Sequence, residues 1–304
     1  MKRKHAYLII AHNNFDILEK LIKLLDNCKN DIYIHIDKKV NNFDFDFYKK
    51  LVRKSNIFFT SRISVNWGGF SQVKCELILL KAAIKHGYDY YHLLSGVDLP
   101  LKTQDEIHHF FDQNEGINFV HFASDDIGGV TDRIAKYHLF QEYKRSVNKI
   151  FKIILFCCDF LFKFTQKVFN IDRLKKSDFV LKYGSNWFSI TDELARAIVD
   201  NENWIKKYFS YSKCADELFL QTFIFNSKFK SYLPNSYTSG DYINCMRKID
   251  WNRGKPYTWR INDFDELLNS SYMFARKFDY DVDKAIVEKI YNSIYSKQIN
   301  KYSI

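Results

Sequence analysis

Three short runs constrain this chain more than anything else in it: AYLIIA over Ala6–Ala11, IYIHI over Ile32–Ile36 and YYHLL over Tyr90–Leu94. Each is apolar at almost every position rather than at every second one, the pattern of a strand covered on both faces. Between them Phe15, Leu18, Leu21, Ile22 and Leu25 recur at helical spacing, and Ile57–Phe59 reads as a third strand. Helix Phe70–Lys85, helix Gln104–Phe111 and strand Phe119–Phe122 continue the alternation. Strand–helix alternation of this length predicts an α/β fold with a Rossmann-like, mostly parallel central sheet.

The 304 residues, 46% hydrophobic and including 28 Phe, suffice for a sizeable core, while three prolines and ten glycines argue against long linkers. A formal charge of +10 points to an anionic partner: nucleic acid, an acidic lipid surface or a phosphorylated small molecule. The six cysteines show no CxxC or Cys/His zinc spacing, and four lie in apolar runs, so buried free thiols and a reducing compartment are expected. The opening MKRKHAYLIIAHNN sets a basic cluster before an apolar run, but His5 and His12 bracket a run too short for a signal peptide or a spanning helix. It reads as a first core strand in a cytoplasmic protein.

The middle is different. Lys149–Phe169 is very apolar, yet Lys149, Lys152, Asp159, Lys163 and Gln166/Lys167 fall on one narrow, mostly basic stripe of a helix. Two readings stand: a helix packed against the core, and an interfacial helix peripheral to the inner face of a membrane. The charges make a bilayer span the wrong reading. No composition break marks a second domain, so residues 1–304 are read as one unit.

The residues that offer chemistry lie in turns and loops. Asp216–Glu217 opens the apolar run Leu218–Phe225 and is the strongest carboxylate pair; taken alone, a helix cap by Asp216 is the stronger reading of it. Both roles are compatible, with Asp216 capping while Glu217 reacts. Arg253, Arg260, Arg276 and Lys277 form a cationic group interleaved with Trp251, Tyr257 and Trp259. Solvated surface charge competes with diphosphate binding for each of them. His35 and Asp37 follow the second strand, and Asp98 sits in the SGVDLP turn, where a turn carboxylate is equally expected. Asp-x-Asp pairs at Asp44/Asp46, Asp263/Asp265, Asp279/Asp281 and Asp281/Asp283 follow no clear core strand, and none is assigned to a metal.

With these residues in view, the chain resembles the core-2/I-branching glycosyltransferase family, which also contains peptide O-xylosyltransferases. The likeness runs in order through HAYLIIAH, IYIHIDKK, VNWGGFSQV, YYHLLSGVDLPLKT, GSNWFSIT, CADELFLQT and MFARKFD. The compact form is similar to the bacterial branch of that family. The resemblance implies a GT-A-type fold and an inverting, metal-independent transfer from a UDP-sugar. It implies Glu217 as the catalytic base, with Ala215 standing where the branching enzymes carry Pro. It implies Lys277 on the diphosphate, with Arg253 or, by a different alignment, Arg260 beside it. His35 and Asp37 fall in the family's uridine region, Asp98 beside the donor site, and Trp187, with Asp216, on the sugar and acceptor side. Residues 1–125 become the nucleotide-binding half and 126–304 the acceptor and catalytic half.

The expected donor is UDP-N-acetylglucosamine, with UDP-xylose the alternative suggested by GSNWF and DELFLQT. The expected acceptor is a glycan or a lipid-linked saccharide of a capsule or cell surface. Two non-catalytic classes compete: a basic single-stranded nucleic-acid binder, against which the absence of RRM, KH or OB patterns speaks, and a membrane-surface scaffold built on 149–169. No nucleic-acid partner is expected.

Overall fold

Each double-buried run becomes a strand because its alternate side chains reach opposite cores. Ala6 and Leu8 of β1 (His5–Ala11) join one buried cluster, Tyr7 and Ile9 the other. A computed structural model describes residues 5–124, 126–143, 149–175, 177–235 and 238–300. From β1 the chain runs through α1 (Phe15–Leu25), β2 (Asn30–Ile36), α2 (Phe45–Lys49), β3 (Asn56–Phe59) and α3 (Ser71–Ala83). It continues through β4 (Tyr90–Ser95), β5 (Leu99–Pro100), α4 (Gln104–Gln113), β6 (Phe119–Val120), α5 (Gly128–Ala135) and α6 (Lys149–Val168). The last part holds β7 (Phe188–Thr191), α7 (Asp192–Asp200), α8 (Glu202–Phe209), α9 (Phe219–Phe225), β8 (Arg247–Ile249), α10 (Phe264–Leu268), β9 (Phe274–Arg276) and α11 (Lys284–Asn300).

The main sheet has the order β3-β2-β1-β4-β7-β6. Its β2–β3, β1–β2 and β1–β4 pairings are parallel, and β7 adds an antiparallel seam between β4 and β6. The expected mostly parallel α/β sheet is therefore present. Strand order reverses between β1 and β4, and the crevice outside their carboxyl ends is where such sheets take ligands.

A second sheet, β5-β9-β8, was not anticipated, because strands of two and three residues have no readable period. It fastens the SGVDLP turn to the end of the chain: Leu101 N donates to Met273 O (2.9 Å) and Phe278 N to Val97 O (2.9 Å). Both sheets draw strands from each side of residue 125. Arg247, 1% exposed, joins them by donating to Ser189 Oγ (2.7 Å), Phe188 O (2.6 Å) and Leu93 O (3.2 Å).

The 149–169 stretch is helical as its spacing predicts, but it does not pack its apolar side on the core. Leu155, Asp159 and Gln166 are buried, and most of its large apolar side chains face outward. Cys157 and Cys158 lie exposed on it and Cys28 is exposed elsewhere, so only Cys75, Cys214 and Cys245 are the buried free thiols that composition suggests. The side chain of Lys149 and the basic cluster ahead of His5 lie outside the described residues. No described helix is long and apolar enough to cross a membrane.

Candidate active site

One side of the reversal crevice is lined by the turn after β4. Asp98 is fully buried: Ser95 N (2.8 Å) and Ser95 Oγ (2.6 Å) donate to it, as does Arg276 Nη1 (3.0 Å). Its oxygens are spent on shaping the turn and aiming Arg276, so it reaches any ligand through that guanidinium. Arg276 in turn lies over the Trp187 ring, 4.3 Å from its centroid. Trp187 immediately precedes β7, is 9% exposed, and forms the floor under Arg276. Lys277 follows at the same rim, half-buried and without an ion-pair partner among the described residues.

Arg253 is employed differently. It donates to Asp250, to Asp263 Oδ1 (2.7 Å) and to Glu266 Oε2 (3.1 Å), and it stacks on Tyr257 and Trp259. Three carboxylates offset its charge, and through them it clamps the 250–266 loop. That clamp is not remote, because Trp259 donates from its backbone to Lys277 O (3.1 Å) and from Nε1 to Arg276 O (2.8 Å). Arg260 is exposed beside it, with its amide on Asp263 Oδ2 (2.9 Å).

His35 and Asp37 both hold the 62–66 segment against the end of β2. Ile63 N donates to His35 Nε2 (3.0 Å), and Asp37 accepts from Lys39 N (2.8 Å) and Val65 N (3.2 Å). Burial lowers the pKa of His35, so its neutral ring suits an acceptor role. Its Nδ1 is buried and unpaired. His12, at the end of β1, is exposed and has Asp37, Lys39 and Arg276 as charged neighbours.

The segment carrying Asp216 and Glu217 is assembled around a sharp turn. Cys214 takes a left-handed conformation (φ 51°) and leads a single 3-10 turn, Ala215–Glu217, ahead of α9. That turn rests on the Gly-Gly motif before α3: Cys214 N donates to Gly68 O (2.8 Å), and Gly68 itself has φ +74°. Asp216 does not cap α9, contrary to the helix-cap reading; it points inward and accepts from Gln72 Nε2 (2.9 Å). Burial, with the charge of Glu217 beside it, pushes its carboxyl up to about 7. Glu76, one turn along α3 from Gln72, is 1% exposed, and burial followed by the Asp216 charge raises it well above the carboxylate range.

Glu217 points the other way, half-exposed, with Arg133 Nη1 of α5 donating to its Oε2 at 2.6 Å. Its backbone carbonyl accepts from Gly184 N (2.9 Å), which ties GSNW to the same turn. Gly184 admits no side chain, since a Cβ there would stand 1.9 Å from His121 O. Through GSNW the carboxylate of Glu217 and the stack of Trp187 and Arg276 belong to one continuous rim at the carboxyl edge of the sheet. Reading the sequence missed Arg133, Gln72 and Glu76. Gln72 and Glu76 sit one helical turn apart after the Gly-Gly motif, whereas nothing near Arg133 in the chain marks it.

The four Asp-x-Asp pairs are largely engaged in local structure. Asp44 caps α2 (Phe47 N, 2.9 Å), Asp46 meets Lys49 and Asp263 meets Arg253. Asp279 accepts from Asp281 N (3.1 Å), and Asp283 accepts from Ile261 N (2.9 Å). Among the described residues no group of three or more His, Cys, Asp or Glu is placed to hold a metal ion.

Known proteins resemble this chain in sequence over most of its length. The family model described as Core-2/I-Branching enzyme matches residues 5–268. Xylosyltransferase 2 of Rattus norvegicus is 24% identical over 302 residues, covering 93% of this chain and 33% of that protein. Xylosyltransferase 1 of Rattus norvegicus is 21% identical over 309 residues, covering 95% of this chain and 35% of that protein. The chain thus spans about a third of the length of the curated relatives it matches. Among solved structures, the apo form of mouse Xyloside xylosyltransferase 1 covers 89% of this chain and 96% of its own at 10% identity, with a TM-score of 0.35.

Proposed function

Because this chain belongs to the Core-2/I-Branching enzyme family of glycosyltransferases, we propose that it transfers a sugar with inversion from a UDP-sugar to a hydroxyl of a glycan or lipid-linked saccharide. In this reading Glu217 takes the proton of the acceptor hydroxyl, and the oxygen attacks the anomeric carbon. The bond from that carbon to the diphosphate breaks, and UDP leaves with its charge offset by Lys277 and Arg276. One observation carries it. Glu217, fixed by Arg133, is tied through Gly184 to the GSNW segment, whose Trp187 carries Arg276 on its ring. A base must stand beside the acceptor and cations beside the leaving group, which is that separation of roles.

His35 and Asp37 serve the uridine end by holding the 62–66 segment, and Asp98 serves the diphosphate by aiming Arg276. Residues 1–125 supply most of the nucleotide side, while Arg276 and Lys277 reach it from the far end of the chain. The cations replace a metal in this scheme. Two donors fit: UDP-N-acetylglucosamine, which the branching-enzyme motifs favour, and UDP-xylose, which the names of the relatives favour.

Calorimetric titration of UDP, UDP-N-acetylglucosamine and UDP-xylose with EDTA throughout tests the proposal. Binding of one sugar nucleotide under EDTA supports a metal-free donor site and names the donor. Binding that appears only on adding Mn²⁺ removes Lys277 and Arg276 from that role.

A further inference from the structure

Helix α6 turns Asp159 and Gln166 of its polar stripe inward and leaves most of its large apolar side chains outward. Leu155, Asp159 and Gln166, at spacings of four and seven, are its buried positions, and half-buried Phe162 lies on the same face. Gln166 fastens that face by accepting from Tyr137 N (2.7 Å) and donating to Tyr137 O (3.1 Å). Outward, ten aliphatic and aromatic residues from Ile150 to Phe169 are 45–75% exposed, among them Ile153, Phe156, Phe160 and Phe164. A water-facing helix has the opposite arrangement, and exposed apolar area on this scale marks a contact surface.

The positions of the lysines identify what covers it. At about 100° per residue, Lys152 and Lys163 fall on one flank of the docked stripe, and Lys167 lies just beyond them at the near edge of the apolar arc, between Phe156 and Phe160. All three are exposed, and Lys163 meets Asp159 Oδ2 at 2.9 Å. Ammonium groups at the margin of an apolar arc lie at head-group depth when that arc enters the acyl boundary. A second copy of the chain fits less well. The arc exceeds half the helix circumference, wider than one facing helix covers, and an isologous contact would oppose two chains that each carry +10.

We infer that α6 is a membrane-docking helix, lying in the plane of an anionic phospholipid surface with its Phe-rich arc in the lipid and Lys152, Lys163 and Lys167 among the head groups. The docked face is bolted to Tyr137, close along the chain to Arg133, the partner of Glu217.

Flotation with phosphatidylglycerol vesicles and with phosphatidylcholine vesicles tests this, using the whole chain. The expected result is binding to phosphatidylglycerol that weakens several-fold in high salt, with binding to phosphatidylcholine at least about tenfold lower. Phe156→Glu with Phe160→Glu, and separately Lys152→Glu with Lys167→Glu, should each lower vesicle binding at least about tenfold. Both pairs should leave the circular dichroism spectrum and thermal midpoint unchanged, because all four side chains are exposed. Vesicle binding that both pairs retain overturns the inference. So does a concentration-dependent dimer that the phenylalanine pair abolishes in a protein that does not float. Flotation requires no sugar transfer, so its outcome is independent of the reaction proposed for the rim.

Discussion

Arg133 Nη1 stands 2.6 Å from Glu217 Oε2, and the two come from an eight-residue helix and a 3-10 turn 84 positions apart. The ion pair fixes where one carboxylate oxygen points and leaves the other, Oε1, which the proposed reaction assigns to the acceptor hydroxyl. Glu217→Gln should therefore abolish transfer while leaving UDP affinity within about twofold, since the loss is of a base worth ~10²–10⁴ in rate. Arg133→Ala should lower kcat by about tenfold or more, with the same UDP affinity. Turnover measured beside calorimetric UDP binding checks both, and unchanged turnover in Glu217→Gln would end the assignment.

The cations separate by what they touch. Lys277→Ala should weaken UDP binding by about 1.5–3 kcal/mol, the worth of a charge-assisted contact. Arg253→Ala should leave UDP affinity nearly unchanged and lower the thermal midpoint instead, because it removes the guanidinium that Asp250, Asp263 and Glu266 share. If UDP binding falls as far in Arg253→Ala as in Lys277→Ala, the clamp reading of Arg253 is wrong.

Asp216 makes stability depend on pH. Its carboxyl is raised from 3.8 to about 7 by burial and by Glu217, so the folded chain holds a proton that the unfolded chain has lost across that interval. The contribution is fully present below the unfolded value and is lost as pH rises through about 7. Glu76 shifts in the same direction. Asp216→Asn keeps an oxygen for the Gln72 amide and removes the titration. Its melting temperature should fall less than the parent's between about pH 5 and about pH 8, and it should be the more stable protein at the upper end. A parent whose stability instead rises across that range relative to the variant would contradict the burial argument.

Gly184→Ala tests the close approach that joins GSNW to the turn bearing Glu217. The new methyl group would meet the backbone of His121, which cannot rotate away. A loss of at least about 1–3 kcal/mol in unfolding free energy is expected, accompanied by lower turnover as Glu217 shifts. Denaturant melts and initial rates read the two effects separately.

The sequence made the central sheet legible because β1, β2 and β4 are buried on both faces and leave near-continuous apolar runs. It concealed β5, β8 and β9, which are too short to show a period and are specified by their partners. Asp216 resembled a helix cap because a carboxylate before an apolar run usually is one; here the intervening 3-10 turn rotates it inward to Gln72. The cationic group was visible, but spacing could not say that Arg253 meets three carboxylates while Arg276 stacks on Trp187. Helix α6 was legible as a helix and not in its orientation, since apolar residues occupy most of its circumference and only contacts choose the docked face.

The small second sheet also sets a schedule. Pro100 finds its ladder partner at Phe274, so at ~5–20 residues per second a growing chain waits roughly ten seconds or longer between making the donor turn and making what closes it. Until then Asp98 has no Arg276, and the rim lacks both cations that would hold a diphosphate. A chain broken off before β9 therefore lacks Arg276 and Lys277 and leaves the turn around Asp98 without the ladder that closes it.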